Sequence, residues 1–409
     1  MTRTEDEFTS GIRDSDGRWP NMPSTWSYSS LREATKCPRR WMLSRASYPK
    51  IWSGWGYPPR PTLPILVGNV VHGILEVLLR SFREQGCTSL ADPATVKVLK
   101  DLGGYTKLVE HRIDEELAQL ADNPRVADRL APLHTALRVK VPEIRQRVQS
   151  VIARTLFQPG SETVGDESSP GARGPLSLGF HPEVELRAPE LRLAGRADLV
   201  TVEEDACEIT DYKTGSPDPH HADQLRLYAL LWSRDTDLNP QTLPVRRLIV
   251  SYPSHDVVVD PPTPAELDGL AEETTDLIHE AEVALQERPP PALPEVTMCQ
   301  LCGVRQLCSE YWSELDLGLS EEAAGSEQDW FDFQGTVTGQ NGARSWLVDT
   351  DTGGPALLLR TSSEAAPFTI GDQIRLLNLR REVDPESTQP IGSMTHLSEV
   401  FALTSPEVV

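Results

Sequence analysis

The chain has no uninterrupted apolar run of the roughly 18–20 residues needed to span a bilayer. Its first residues, MTRTEDEFTS, contain no apolar core of a secretory signal. Both absences point to a cytoplasmic protein with no membrane partner. No G-x-x-x-x-G-K-[ST] phosphate loop is present, so no nucleotide-driven motor is encoded in this stretch. No internal repeat is visible. Positive charge is scarce: 39 lysines and arginines stand against 61 aspartates and glutamates, a formal charge of −22. That balance argues against indiscriminate coating of duplex DNA but leaves room for a local basic groove. Residues 32–60 are such a place, with Arg32, Lys36, Arg39, Arg40, Arg45, Lys50 and Arg60 against only Glu33.

What is present is ordinary for a folded protein: 409 residues, 38% hydrophobic and 24% charged, room for two or three domains. Residues 1–25 are polar and read as a flexible lead-in. SSLREATKCPRRWML reads as a helix, with Ser30 and Glu33 in capping-box spacing. VGNVVHGILEVLLRSF is apolar almost all round and reads as a buried helix. A helical insert follows over about 86–157, and 158–177 reads as a loop. Next come strand-like runs EVELRA, LRLAGRADLVTV and CEITDYKT, the helix HADQLRLYALLWSR, the strand VRRLIVSYP and a long helix near 264–287. The order is that of an α/β core. An acidic linker over about 314–328 precedes five short strand-like runs within 329–409, the signature of a small β-barrel of the OB type. Trp346, Arg344, Arg360 and Arg375 are its candidate strand-binding residues, with a structural or docking barrel as an equal alternative.

The chemistry starts at EITDYKTG. In a strand, residues two apart share a face, so Asp211 and Lys213 lie side by side while Tyr212 turns away. Asp198, in AGRADLV, falls in the preceding strand. Paired strands would bring the two carboxylates onto one hard divalent cation, Mg²⁺ or Mn²⁺. Such a cation acidifies a bound water and screens charge on a phosphate, and Lys213 can hold that phosphate. Charged surface strands with no metal are the plain alternative. His72 in GNVVH is either a hydrogen-bonded core residue or an imidazole ligand favouring Mn²⁺. Gln224 and Tyr228 share a helix face. Of the six cysteines, Cys299, Cys302 and Cys308 form C-x2-C-x5-C, and Cys37 is the candidate fourth ligand. Four thiolates suit zinc or an iron–sulfur cluster, and spacing alone favours zinc. Cys87 and Cys207 read as core residues.

Taken together and in this order, Cys37, Gly68 to His72, Asp198, Asp211 to Lys213, Gln224 to Tyr228 and the three clustered cysteines resemble the PD-(D/E)XK nucleases. The resemblance is to their RecB-like, AddB-like branch with an iron–sulfur staple, which includes CRISPR-adaptation nucleases. It covers roughly 26–312. It implies a restriction-endonuclease-like core, a mixed sheet flanked by helices, over 26–313. It further implies that His72, Asp198, Asp211 and the Tyr212 carbonyl hold the catalytic metal, that Lys213 is catalytic, and that Gln224 and Tyr228 position DNA. Cys37, Cys299, Cys302 and Cys308 would hold a [4Fe–4S] cluster, and Glu185 is a further site candidate. The implied function is a Mg²⁺- or Mn²⁺-dependent deoxyribonuclease acting on single strands or ends, more an exonuclease than an endonuclease, in repair, recombination or phage defence. A separate helicase or defence protein would be its partner. The competing functions are a catalytically silent DNA-binding scaffold and a zinc-stapled protein with no nucleic-acid role.

Overall fold

The computed structural model describes residues 19–155, 173–314, 330–350, 355–384, 387 and 389–403. Most of the expected lead-in, most of the 158–177 loop and nearly all of the acidic linker lie outside the described residues. Of the described lead-in residues Trp19 is buried, and just after the lead-in Trp26 bridges to Leu193.

The first expected helix is two helices, α1 (Tyr28–Lys36) and α2 (Pro38–Arg45). Pro38 disfavours the helical conformation at Cys37, which is extended at φ −161° and caps α2, its Sγ accepting from Arg40 N–H. The α1 cap is Ser27 rather than Ser30. Ser30 instead accepts from Trp41 Nε1, and Glu33 pairs with Arg45 and Arg40.

Helix α3 (Leu63–Glu84) is long and apolar enough to cross a membrane by length and composition, although its apolar run is interrupted. Asn69, His72 and Glu76 interrupt its apolar residues. It is the central helix of a buried cluster rather than an isolated rod: Leu66, Val70, Ile74, Leu78 and Phe82 pack against α4 (Pro93–Asp101), α5 (Gly104–Ala118), α6 (Leu130–Val139) and α7 (Val141–Arg154). These four helices are the expected insert.

A five-stranded mixed sheet follows in chain order: β1 (Gly179–Ala188), β2 (Leu193–Val202), β3 (Cys207–Tyr212), β4 (Val245–Ser251) and β5 (Asp256–Val259). Only β3 and β4 run parallel, and α8 (His220–Arg234) makes the crossover between them. The sheet is covered on both faces. Phe180, Leu199 and Tyr212 join the insert's core, while Val200, Ile209 and Val250 pack with α8, α9 (Pro264–Gln286), α1 and α2. Tyr212 therefore turns away from Asp211 and Lys213, as alternation requires. Short α10 (Val296–Gln300) and α11 (Ser309–Glu314) carry the clustered cysteines' segment.

A second mixed sheet contains β6 (Trp330–Gln340), β7 (Ser345–Asp349), β8 (Leu357–Arg360), β9 (Gln373–Glu382), β10 (Ile391–Ser393) and β11 (Glu399–Ala402). β10 pairs with β8 in parallel and with β9 antiparallel, so five strands close on themselves in the cycle β6-β7-β8-β10-β9. Phe333, Val348, Leu359, Leu376 and Leu379 fill the interior. Of the expected single-strand platform, Arg344 is exposed and the other three residues are buried or paired. Trp346 is buried edge-on against Phe368, and Arg360 is engaged by Glu382. Arg375 is buried too, over the Trp312 ring and donating to the Gln306 carbonyl. An alternating pattern shows which residues share a face but not which face is covered.

Arg375 belongs instead to a contact between this sheet and the cysteine segment. Asp332 is its centre, accepting from Arg305 Nε at 2.6 Å, Tyr311 Oη at 2.8 Å and Asn378 N–H at 2.8 Å. Glu399 makes a second tie, to Arg60 at 2.8 Å and Arg125 at 2.9 Å. Because Arg305 and Asp332 are both buried, removing one partner strands a charge. Asp332→Ala should cost about 3–5 kcal/mol of unfolding free energy. The check is chemical denaturation followed by tryptophan fluorescence; a loss within about 0.5 kcal/mol, ordinary for a surface change, would contradict the contact.

Candidate metal and nucleic-acid site

Strands β2 and β3 are antiparallel neighbours, and their carboxylates meet at one end of the sheet. Asp198 Oδ2 accepts a 2.6 Å hydrogen bond from the Tyr212 N–H, which locks the aspartate against the strand bearing Asp211. Asp211 is 2% exposed. Lys213 Nζ lies 2.6 Å from Asp211 Oδ2 without the angles of a hydrogen bond, so that oxygen is buried with a cation beside it and no donor aimed at it. Lys213 Nζ also donates to Gln224 Oε1 at 2.9 Å, and Gln224 Nε2 donates to Tyr228 Oη at 2.7 Å. The chain Asp211–Lys213–Gln224–Tyr228 thus links β3 to α8, and each member was named from the sequence.

Two glycines permit the approach. A Cβ at Gly68 would lie 2.9 Å from Thr214 Oγ1, so glycine there lets α3 rest on the turn after β3. A Cβ at Gly195 would lie 2.7 Å from the Tyr228 ring. One turn beyond Gly68, His72 places Nδ1 3.8 Å from Asp198 Oδ1. It is half-buried rather than a core histidine, and burial holds its pKa below the ordinary value, keeping the imidazole neutral. Asp198 is pushed the other way. Burial, then the adjacent Asp211 charge, hold its carboxyl well above the usual range.

The expected residue Glu185 is not at this site. Its side chain is exposed and paired with Arg187 at 2.8 Å. The acid at the site is Glu183, two residues earlier. The β1–β2 register pairs Pro182 with Leu199 and Val184 with Ala197, which sets Glu183 level with Asp198. Its backbone is left-handed, φ +53°, a conformation that costs a non-glycine residue of order 1–3 kcal/mol. Burial and then Glu76 raise its pKa. Strand alternation names both glutamates equally, and only the local backbone reversal separates them.

The family model for the PD-(D/E)XK nuclease superfamily matches residues 25–309. The chain belongs to the PD-(D/E)XK nuclease superfamily. Among solved structures it is similar to the crystal structure of SSO0001, at 19% identity and a TM-score of 0.21 over 32% of this chain and 60% of that one. It is also similar to a murine DNA-binding protein bound with double-stranded DNA, at 10% identity and a TM-score of 0.16 over 55% of this chain and 94% of that one. No curated protein matches the chain. The mixed α/β architecture is consistent with the restriction-endonuclease-like fold of PD-(D/E)XK proteins, and the family's chemistry is that of a metal-dependent nuclease.

Two donor sets bear on metals. Among the described residues, no group of three or more His, Cys, Asp or Glu side chains is drawn together closely enough to hold an ion. In kind, however, the Asp198–Asp211–His72 set fits a hard divalent cation. It offers two adjacent carboxylates, one with a buried oxygen whose contact to Lys213 lacks hydrogen-bond geometry, and an imidazole. Lys213 would have to swing off Asp211 to admit it. The second set, Cys37, Cys299, Cys302 and Cys308, lines one cavity of about 30 Å³. Burial raises the Cys302 thiol and pushes Cys308 up to about 12, so these two sulfurs are neutral thiols unless a metal draws off their protons.

The raised Asp198 pKa fixes the sign of a pH effect. The folded protein keeps a proton the unfolded chain has lost, so the stability this group contributes is full below the ordinary value of about 3.9 and is lost as pH rises through its folded pKa. In EDTA, Asp198→Asn should therefore be more stable than wild type, by a margin that grows between acid and neutral pH. Parallel unfolding midpoints for the two proteins from pH 4 to 8 would refute the carboxylate repulsion.

Proposed function

We propose that this PD-(D/E)XK protein is a Mg²⁺- or Mn²⁺-dependent deoxyribonuclease acting on single strands or DNA ends, in the RecB-like branch of the superfamily. The observation that carries the reading is Asp211: a buried carboxylate oxygen set beside Asp198, with no hydrogen bond of good geometry and the Lys213 ammonium 2.6 Å away. Two acids and a lysine gathered at one concave site are matched to a cation and a phosphate.

In this reading Asp198, Asp211, His72 and the Tyr212 carbonyl hold the divalent ion, which supplies an acidified water and charge neutralisation at the phosphate. The chain's own residues do the rest. The Tyr212 N–H holds Asp198 in place through its hydrogen bond. Lys213 leaves Asp211 for a non-bridging oxygen of the scissile phosphate and stabilises the charge that gathers there. Gln224 steers the Lys213 ammonium, and Tyr228 fixes Gln224 in turn. Glu183, buried beside Asp198, adds negative charge that favours cation over anion in the pocket until the cation arrives.

The rest of the proposal is organisational. The nuclease unit spans 26–313. Cys37 and Cys299, Cys302 and Cys308 hold a [4Fe–4S] cluster that staples its two ends, a reading supported by the four residues lining one cavity. The unit at 329–409 is an OB-type barrel: its closed five-strand cycle with one parallel pair supports that type. Its buried ties to Arg305 and Gln306 support docking onto the cysteine segment rather than binding DNA. A helicase or defence partner that exposes strands, and a cytoplasmic location, complete it.

Lys213→Ala should lower cleavage of end-labelled DNA in Mn²⁺ by about 10²–10³-fold, the usual cost of one transition-state donor, and Asp211→Asn should abolish it, both with unchanged circular dichroism. Binding without cleavage by the wild type, across single-stranded, duplex and tailed DNA, would instead favour a catalytically silent scaffold. Anaerobically purified protein should carry about four irons per chain, falling to background in Cys302→Ser; stoichiometric zinc in place of iron would refute the cluster.

A further inference from the structure

The site opens into a groove of about 760 Å³ that runs from Lys213 and Gln224 to the cysteine segment. Its charge is opposite to that of the chain. Arg32, Lys36 and Arg40 on α1 and α2 line it, and with Lys213 they face one lining carboxylate, Glu33. Glu33 is committed to Arg45 and Arg40. Arg32 has a buried Nε with no hydrogen-bond partner. A protein of net charge −22 that concentrates cations in one cleft is matched to an anion there.

The groove also has exposed apolar lining. Leu301 is 83% exposed and Leu293 48% exposed, and both line the groove with Met298. Exposed apolar side chains and a cationic helix lining one cleft make a two-part track. Tyr28 and His221 also line the groove, the latter held by a 2.7 Å hydrogen bond between its Nδ1 and Tyr252 Oη.

We infer that this groove is the track of a single polynucleotide strand, its phosphates on Arg32, Lys36 and Arg40 and its bases against Leu293, Met298 and Leu301. Sequence-tolerant single-strand sites combine these two features, a cationic line for the backbone and an apolar or aromatic face for the bases. The recessed site argues the same way. Asp211 is almost wholly buried, so a scissile phosphate must descend into the cleft, which a backbone still tied to its complement resists. The inference rests on the nuclease reading for its endpoint but not for its walls.

The test is fluorescence anisotropy of the full chain, in EDTA, with labelled oligothymidylate and a blunt duplex of equal length, over a range of salt. Each single-strand phosphate contact contributes about 0.7 to the slope of log K against log salt. Arg32→Ala/Lys36→Ala should therefore lower that slope by about 1.4 and weaken oligothymidylate binding at least tenfold. Leu301→Ser, on an exposed position that folding tolerates, should weaken binding with the slope unchanged. Lys97→Ala/Lys100→Ala, on α4, should change neither. An unchanged slope and affinity in the α1 double variant, while the wild type still cleaves in Mn²⁺, would overturn the groove and spare the nuclease. The reduced slope in a protein whose wild type never cleaves would uphold the groove and remove the nuclease. Equal losses on duplex and single strand would overturn the single-strand assignment.

Discussion

Two carboxylates, Asp198 and Asp211, are held side by side in a buried place, and much of the structure is arranged around that cost. Isolated, either acid would be an expensive residue at the edge of a core. Together they repel, and Asp198 answers by holding on to its proton. Neighbouring elements supply what makes the arrangement tolerable: the Tyr212 N–H to one acid and the Lys213 ammonium to the other. Gln224 and Tyr228 are needed to hold the lysine, and Gly68 and Gly195 are needed to bring α3 and α8 close enough. The site is a constraint on two helices and three strands at once.

The same logic extends outward by charge. The groove next to the acids is cationic although the chain is acidic, and Glu33, the one carboxylate on its wall, is neutralised by arginines. The cysteine segment lines the groove and also carries Arg305, whose buried pairing with Asp332 anchors the second sheet. One short segment therefore touches the site's approach on one side and the second sheet on the other. Disturbing its thiols would be felt at both.

Much of this was legible in the sequence because it rests on period. The alternation in β1 to β4 and the helical spacing of Gln224 and Tyr228 put the right residues on the right faces. What escaped was short or non-periodic. Strand β10 is three residues long, and β5, DVVV, is four residues with no alternation in it. The break at Cys37 was signalled by the following proline, but the apolar pattern ran through it. Glu183 was missed in favour of Glu185 because a left-handed residue inside a strand leaves no mark in a two-residue period. Trp346 and Arg375 were taken as surface because an aromatic and an arginine in a strand fit either face. The Arg305–Asp332 tie joins two runs whose pairing no local signal announces.

The most direct test of the account is Mn²⁺ binding followed by calorimetry on the full chain at neutral pH. The account predicts saturable binding at a single site, because Asp198 and Asp211 share one ion, and predicts loss of that binding in Asp211→Asn. Equal Mn²⁺ affinity in the variant would contradict it.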